Sequence, residues 1–215
     1  MKLKKRLYQN YNPPFPLDYV NDLGEAIIRV EEKYCKWAYD SNANRIQKIE
    51  RVFAYELYHQ LRLLSICDIK YQNLRIDGEI GKKIQYNSPI ETCGFEIENL
   101  NKMSLLPDLV IHNGQNNREK EDQKIIIEIK TRNLSDENEL KKTLLKLNHY
   151  LRVLDFQYAI FLSVNTNYNE LKEKIRLITQ NMIPDCYERL DRIIIINYAE
   201  RVIDAKTLRS IIDNR

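Results

Sequence analysis

Apolar residues recur at spacings of three and four along the first third of the chain, and at spacings of two or in short unbroken runs along the rest. Leu23, Ile27, Val30, Tyr34 and Trp37 share one helical face, which predicts a helix from Asp18 to about Tyr39. Asp40-Ser41-Asn42 breaks it and offers an N-cap to a second helix, from about Asn44 to Cys67. The period then changes. Leu74, Ile76 and Ile80 alternate with Arg75, Asp77 and Glu79, as in a half-buried strand. Residues 81–102 fit either a hairpin or an insertion. Strands follow at Leu105–His112 and Lys124–Lys130, across a polar turn marked by Asn113-Gly114. Ser135 or Asp136 can cap a helix that runs to about Leu154. Tyr158–Val164 reads as a buried strand, Asn169–Gln180 as a helix, Arg192–Tyr198 as a strand and Lys206–Ile212 as a last helix. The order α, α, β, β, β, α, β, α, β, α predicts an α/β fold with a mixed sheet covered by helices on both faces.

Composition narrows the class. The 215 residues, 43% of them apolar, are enough for one cored domain, and five glycines and six prolines exclude linker-rich or disordered readings. No apolar run reaches the ~20 residues of a membrane span, and the basic start MKLKKR lacks the apolar core of a signal peptide, so no membrane partner and a cytoplasmic location are expected. The net charge of +3 neither announces nor excludes a nucleic-acid partner. Cys35, Cys67, Cys93 and Cys186 are widely spaced, with no CxxC pair; free thiols in a reducing compartment are expected, and structural zinc is not.

The chemistry gathers at Pro107-Asp108 and Glu128-Ile129-Lys130. Alternation along the second strand puts Glu128, Lys130 and Ile126 on one face, and Ile125, Ile127 and Ile129 on the other. Charges on a buried face cost several kcal/mol unless paired or bound to a metal. The Asn113-Gly114 turn folds the strands antiparallel and can bring Asp108 beside Glu128. Two carboxylates plus the Ile129 backbone carbonyl form a hard, all-oxygen site for Mg²⁺ or Mn²⁺. Lys130 can orient or deprotonate a water, or neutralise charge in the transition state. The reaction expected is phosphodiester hydrolysis.

With these residues the chain resembles the PD-(D/E)xK nuclease superfamily, whose restriction-endonuclease-like fold has an αβββαβ core. The resemblance covers 44–164, within a domain over 44–215. It leaves an N-terminal arm and helix over 1–43 and a C-terminal β-α extension over 165–215. It implies a metal-dependent endonuclease or exonuclease acting on DNA, with a homodimer favoured if one-site chains cut both strands. It also implies a Glu on the first core helix aimed at the metal. At about 100° per residue, Ile46, Phe53, Leu57, Leu61 and Leu64 fall within about 60° of Glu50, whereas Glu56 lies about 120° round. Glu50 is therefore favoured, and Glu50-Arg51 is similar to the Glu-Arg pair of some members.

On the helix after the site, Leu140, Leu144, Leu147, Leu151 and Leu154 form a core stripe. Lys142, Lys146 and His149 form a row opposite it, which the resemblance makes candidates for holding phosphates; a solvated face is the other reading. Lys2, Lys4, Lys5 and Arg6 can track a nucleic-acid backbone or merely solubilise the terminus. Glu79 ends a strand beside the site and is a further candidate for metal or substrate. His112 shares a strand face with Asp108 but lies ~13 Å along it, and the 14 tyrosines read mostly as core. Two rival readings stay open: a catalytically inactive nuclease-fold module that binds nucleic acid or a protein partner, and an ordinary α/β domain in which Glu128 and Lys130 form a structural ion pair.

Overall fold

The structure is a computed structural model and describes residues 18–35, 43–66, 68–79, 90–95, 105–114, 122–131, 136–180, 182 and 184–213. The basic residues Lys2, Lys4, Lys5 and Arg6, with Trp37, Cys67, Ile80, Ser135 and most of the ambiguous stretch 81–102, lie outside the described residues.

Six strands pair in chain order: β1 (Arg75–Gly78), β2 (Leu109–His112), β3 (Gln123–Lys130), β4 (Tyr158–Val164), β5 (Ile193–Ala199) and β6 (Val202–Thr207). β1, β2 and β3 form an antiparallel meander, β3, β4 and β5 run parallel, and β6 returns antiparallel to β5. Parallel neighbours need crossovers. Helix α3 (Glu137–Val153) supplies the first; α4 (Tyr168–Thr179) and a 3-10 segment (Pro184–Arg192) supply the second. Asp136, one of the two caps expected for α3, accepts from Asn138 N–H, and α4 is capped by Asn167, which accepts from Asn169 and Glu170 N–H.

Period-two alternation sorts the side chains into two cores. On one face, Ile126, Ala159, Phe161, Ile193 and Ile195 pack with the leucines of α3, with α4 and with α5 (Leu208–Asp213). On the other, Ile125, Ile127, Ile129, Ile160, Leu162 and Ile194 pack with α1 (Asp18–Arg29) and α2 (Ala43–Ser65) through Leu23, Ile27, Phe53, Leu57 and Leu61. The expected α/β fold with a mixed sheet flanked by helices is thus present.

Three expectations are corrected. The first helix ends at Arg29, and Glu31 turns extended before a single 3-10 turn at Glu32–Tyr34. Its apolar spacing ran on because Val30, Tyr34 and Cys35 still pack against the same core. The last helix is only Leu208–Asp213, and residues before it form β6. Glu200 and Arg201 both have positive φ, 51° and 64°, and make a two-residue turn that pairs Ala199 with Val202. Such a turn normally carries Asn or Gly, so the hairpin left no sequence signal. Finally, Cys93 and Cys186 form a disulfide; among the described residues, Cys35 is the free cysteine. The bond joins positions 93 residues apart, a proximity created only by the fold, and it removes the support that free thiols lent to a reducing compartment. Around it, Asn148 donates to Cys93 Sγ (3.1 Å) and Glu91 (3.2 Å), and Arg189 donates to Asn148 (2.6 Å) and Glu91 (2.7 Å). Glu91 and Cys93, between β1 and β2, are thereby tied to α3.

The turn yields a prediction. Arg201 sits in the left-handed region, and its contact with Glu32 is between exposed groups, worth little. Arg201→Gly is expected to stabilise the chain by about 1 kcal/mol, seen as a higher urea midpoint at unchanged m-value.

Candidate active site

The register of β2 and β3 brings the expected carboxylates together. Leu109 pairs with Ile127, so Asp108, one residue earlier, falls across from Glu128. Pro107 has no N–H to give, and regular pairing begins after it. Asp108 N–H donates to Ile127 O (3.1 Å), and the Asp108 carboxylate Oδ2 accepts from Ile129 N–H (2.6 Å), in place of a ladder carbonyl. The side chain is thereby fixed to the backbone of β3, at the end of the strand where Lys130 also stands.

Glu128 is 2% exposed, on the α3 face of the sheet. Both its oxygens accept bonds from α3: Oε2 from Lys146 Nζ at 2.7 Å, and Oε1 from the Tyr150 hydroxyl at 2.8 Å. Lys130, two residues on, reaches round the carboxyl end of β3 to Glu50 of α2, at 3.3 Å, and lies 3.8 Å from Glu139 of α3. Residues of α2, β1, β2, β3 and α3 thus line one cleft of about 640 Å³, with Asp108, Glu128, Lys130, Lys146 and Glu50 in its walls.

Electrostatics separates the roles. Burial, and then the neighbouring Glu128, push the Asp108 carboxyl up to about 7, against the opposing pull of Ile129 N–H, Lys130 and Lys146. For Lys130, burial works against the charged form. Glu50, Asp108, Glu128 and Glu139 more than offset it, so the ammonium sits above the ordinary lysine range. Of the roles expected for Lys130, holding positive charge fits this environment and deprotonating water does not.

The other candidates fall differently. Glu50 lies on the buried side of α2, as its phase required, but it faces Lys130; Glu50, Asp108 and Glu128 do not all come within 4.8 Å of one another. Glu56 is half-buried and accepts from Gln60 one turn on, at 2.7 Å. Glu79 is exposed at the cleft rim, 3.3 Å from Arg51. The row Lys142, Lys146 and His149 is not the outer face expected: His149 is 0% exposed, Lys146 is bonded to Glu128, and Lys142 is half-buried. The reason is that α3 is covered on more than its leucine stripe, by the sheet and by the elements that follow it. His112, 3.0 Å from Asp77, lies at the other end of β2.

Tyr150 and Glu139 were missed by the sequence reading. With Thr143 and Lys146 they recur at spacings of four, three and four, which marks a second inward stripe beside the leucines and could have found them. Among the described residues, Glu91, Cys93 and Cys186 form the one group of three His, Cys, Asp or Glu side chains close enough to share an ion, but its two sulfurs are bonded to each other. None of the helices of the described residues is long and apolar enough to cross a membrane. No family model, curated protein or solved structure matches the chain.

A pH dependence follows. Folded, metal-free Asp108 keeps its proton up to about pH 7, whereas an unfolded Asp loses it near pH 4. Between those values the folded state binds more protons, so this group removes stability as pH rises from about 4 to about 7. Asp108→Asn keeps the acceptor for Ile129. In chelator it is expected to stabilise the chain by roughly 2–4 kcal/mol at pH 8 and by less at pH 5, as read from urea denaturation.

Proposed function

We propose that the chain is a metal-dependent nuclease of the restriction-endonuclease-like fold, hydrolysing phosphodiester bonds of DNA with Mg²⁺ or Mn²⁺. The observation that carries this reading is the crowding of Asp108 and Glu128 on a buried sheet face, beside Lys130, in an open cleft. The order α2, β1, β2, β3, α3, β4 supports it, because it follows the αβββαβ order that the resemblance implies. DNA is the substrate class implied by the same resemblance.

The donor set fits a hard cation. Asp108 is driven towards its neutral form partly by Glu128, a sign of excess negative charge at one point, and the candidate donors are oxygens. Asp108, Glu128 and the Ile129 carbonyl would hold the ion. Bound there, it would supply Lewis-acid activation of a water and a phosphate oxygen. Lys130, kept charged by Glu50 and its neighbours, would stabilise the negative charge that develops on phosphate. Glu50 acts on this chemistry by positioning Lys130. Tyr150 keeps Glu128 pointed into the cleft through its hydrogen bond.

A second reading, a nuclease-fold module without catalysis, draws on one observation: both oxygens of Glu128 already accept bonds from α3. Incubation with plasmid, linear duplex, single-stranded DNA and RNA decides between them. Cleavage of DNA is expected with Mg²⁺ or Mn²⁺ and none in EDTA, with a loss of about 10³-fold in Asp108→Ala and in Lys130→Ala. Mn²⁺ should also raise the melting temperature of the wild type and of Lys130→Ala, but not of Asp108→Ala. Absent cleavage with an unchanged metal response in Asp108→Ala would leave only the inactive module or a structural ion pair.

A further inference from the structure

The closest contact of the buried Glu128 is not another acid or a water-facing edge but an ammonium: Lys146 Nζ lies 2.7 Å from Oε2. Lys146 belongs to α3, 18 residues on, and its side chain is 14% exposed where it lines the same cleft as Asp108 and Lys130. A divalent ion held by Glu128 and Asp108 needs a carboxylate oxygen at about 2.1 Å. A cation already hydrogen-bonded to that carboxylate and the incoming dication repel at such range, and in a low-dielectric wall the repulsion is weakly screened. The other oxygen of Glu128 is held by Tyr150, a neutral hydroxyl, which brings no charge against a metal. The two bonds from α3 are therefore not equivalent: one orients the carboxylate, the other neutralises it.

We propose that Lys146 is an internal counter-ion that stands in for the metal at Glu128, so that binding a divalent cation and releasing Lys146 from Glu128 are one coupled event. The proposal rests on the reading of Asp108 and Glu128 as a metal site and goes beyond it. The metal-free chain keeps its buried carboxylate compensated, and its affinity for the ion is set by competition with its own ammonium. The long, flexible stem of Lys146 leaves the freed ammonium in the cleft, where a phosphate is the anion it fits. On this account Lys146 is a positioning residue of the metal-free state and a phosphate contact of the loaded one.

The test is calorimetric titration of the full chain with MnCl₂, in the absence of nucleic acid. Lys146→Met is expected to bind Mn²⁺ about tenfold tighter than wild type or more, whereas Lys142→Met, which removes the same charge one helical turn away, should shift affinity by about twofold at most. Adding Asp108→Asn to Lys146→Met should abolish the gain. Should Lys146→Met fail to fold, Lys146→Gln carries the same expectation, because it keeps a donor for Glu128 without the charge. Unchanged or weaker binding in the Lys146 variants, with measurable binding by wild type, overturns the counter-ion while leaving the metal site standing. Equal tightening by Lys142→Met also overturns it, because the effect is then general charge. No binding by wild type or by any variant overturns both.

Discussion

Glu128 stands on a strand whose two faces are both covered, with almost no contact with water, and a carboxylate in that position must be met by donors or cations. Much of the local architecture answers that demand. Helix α3 lies so that Lys146 and Tyr150, one turn apart, reach the two oxygens. Asp108 is pinned to the backbone of β3, and so stays close enough to Glu128 to feel its charge. Lys130 then carries the positive charge onward to Glu50 on the opposite side of the sheet. Carboxylates and ammoniums alternate from Glu50 of α2 through Lys130 of β3 to Glu139 of α3, and these contacts link the two hydrophobic layers through charge.

The position of the site follows from where the sheet changes character. β3 is antiparallel to β2 on one edge and parallel to β4 on the other. A parallel neighbour forces a crossover, so α3 must leave the carboxyl end of β3 and fold back over the face that bears Glu128. An antiparallel neighbour puts the start of β2, and so Asp108, at that same end. Neither a pure meander nor a fully parallel sheet would bring a residue from the beginning of one strand beside the end of the next while also laying a helix across them.

The legible part of this was whatever depends on local period. The alternation in Lys124–Lys130 correctly placed Glu128 and Lys130 on one face, because a residue's face in a strand needs no knowledge of its neighbours. The phase of α2 correctly turned Glu50 inward. What failed depends on partners. The face of α3 that carries Lys146 and His149 looked solvated, since lysine and histidine are polar, but burial is decided by what packs outside the helix. The β5–β6 hairpin was missed because Glu200 and Arg201 adopt left-handed backbone without the residues that usually advertise it. The Cys93–Cys186 bond was missed because thiols far apart in sequence carry no signal of their proximity. For Glu50, the resemblance supplied the metal-facing Glu of the first core helix and the phase of α2 chose it over Glu56; its contact with Lys130, 3.3 Å away across the end of β3, is one that phase does not reveal.

The bonds to Glu128 also bear on the order in which the chain assembles. Lys146 and Tyr150 lie 18 and 22 residues beyond it, in the helix that directly follows its strand, and β2 pairs with β3 as its neighbour in sequence. Contacts so near in sequence close at little entropic cost and are of the kind that form early. A buried carboxylate thus has its cation within its own strand–helix unit, and the pair needs neither the more distant β5 and β6 nor the N-terminal helices. A nascent chain can complete this pairing once residue 150 is free to fold, and the apolar layers then close over a carboxylate already compensated.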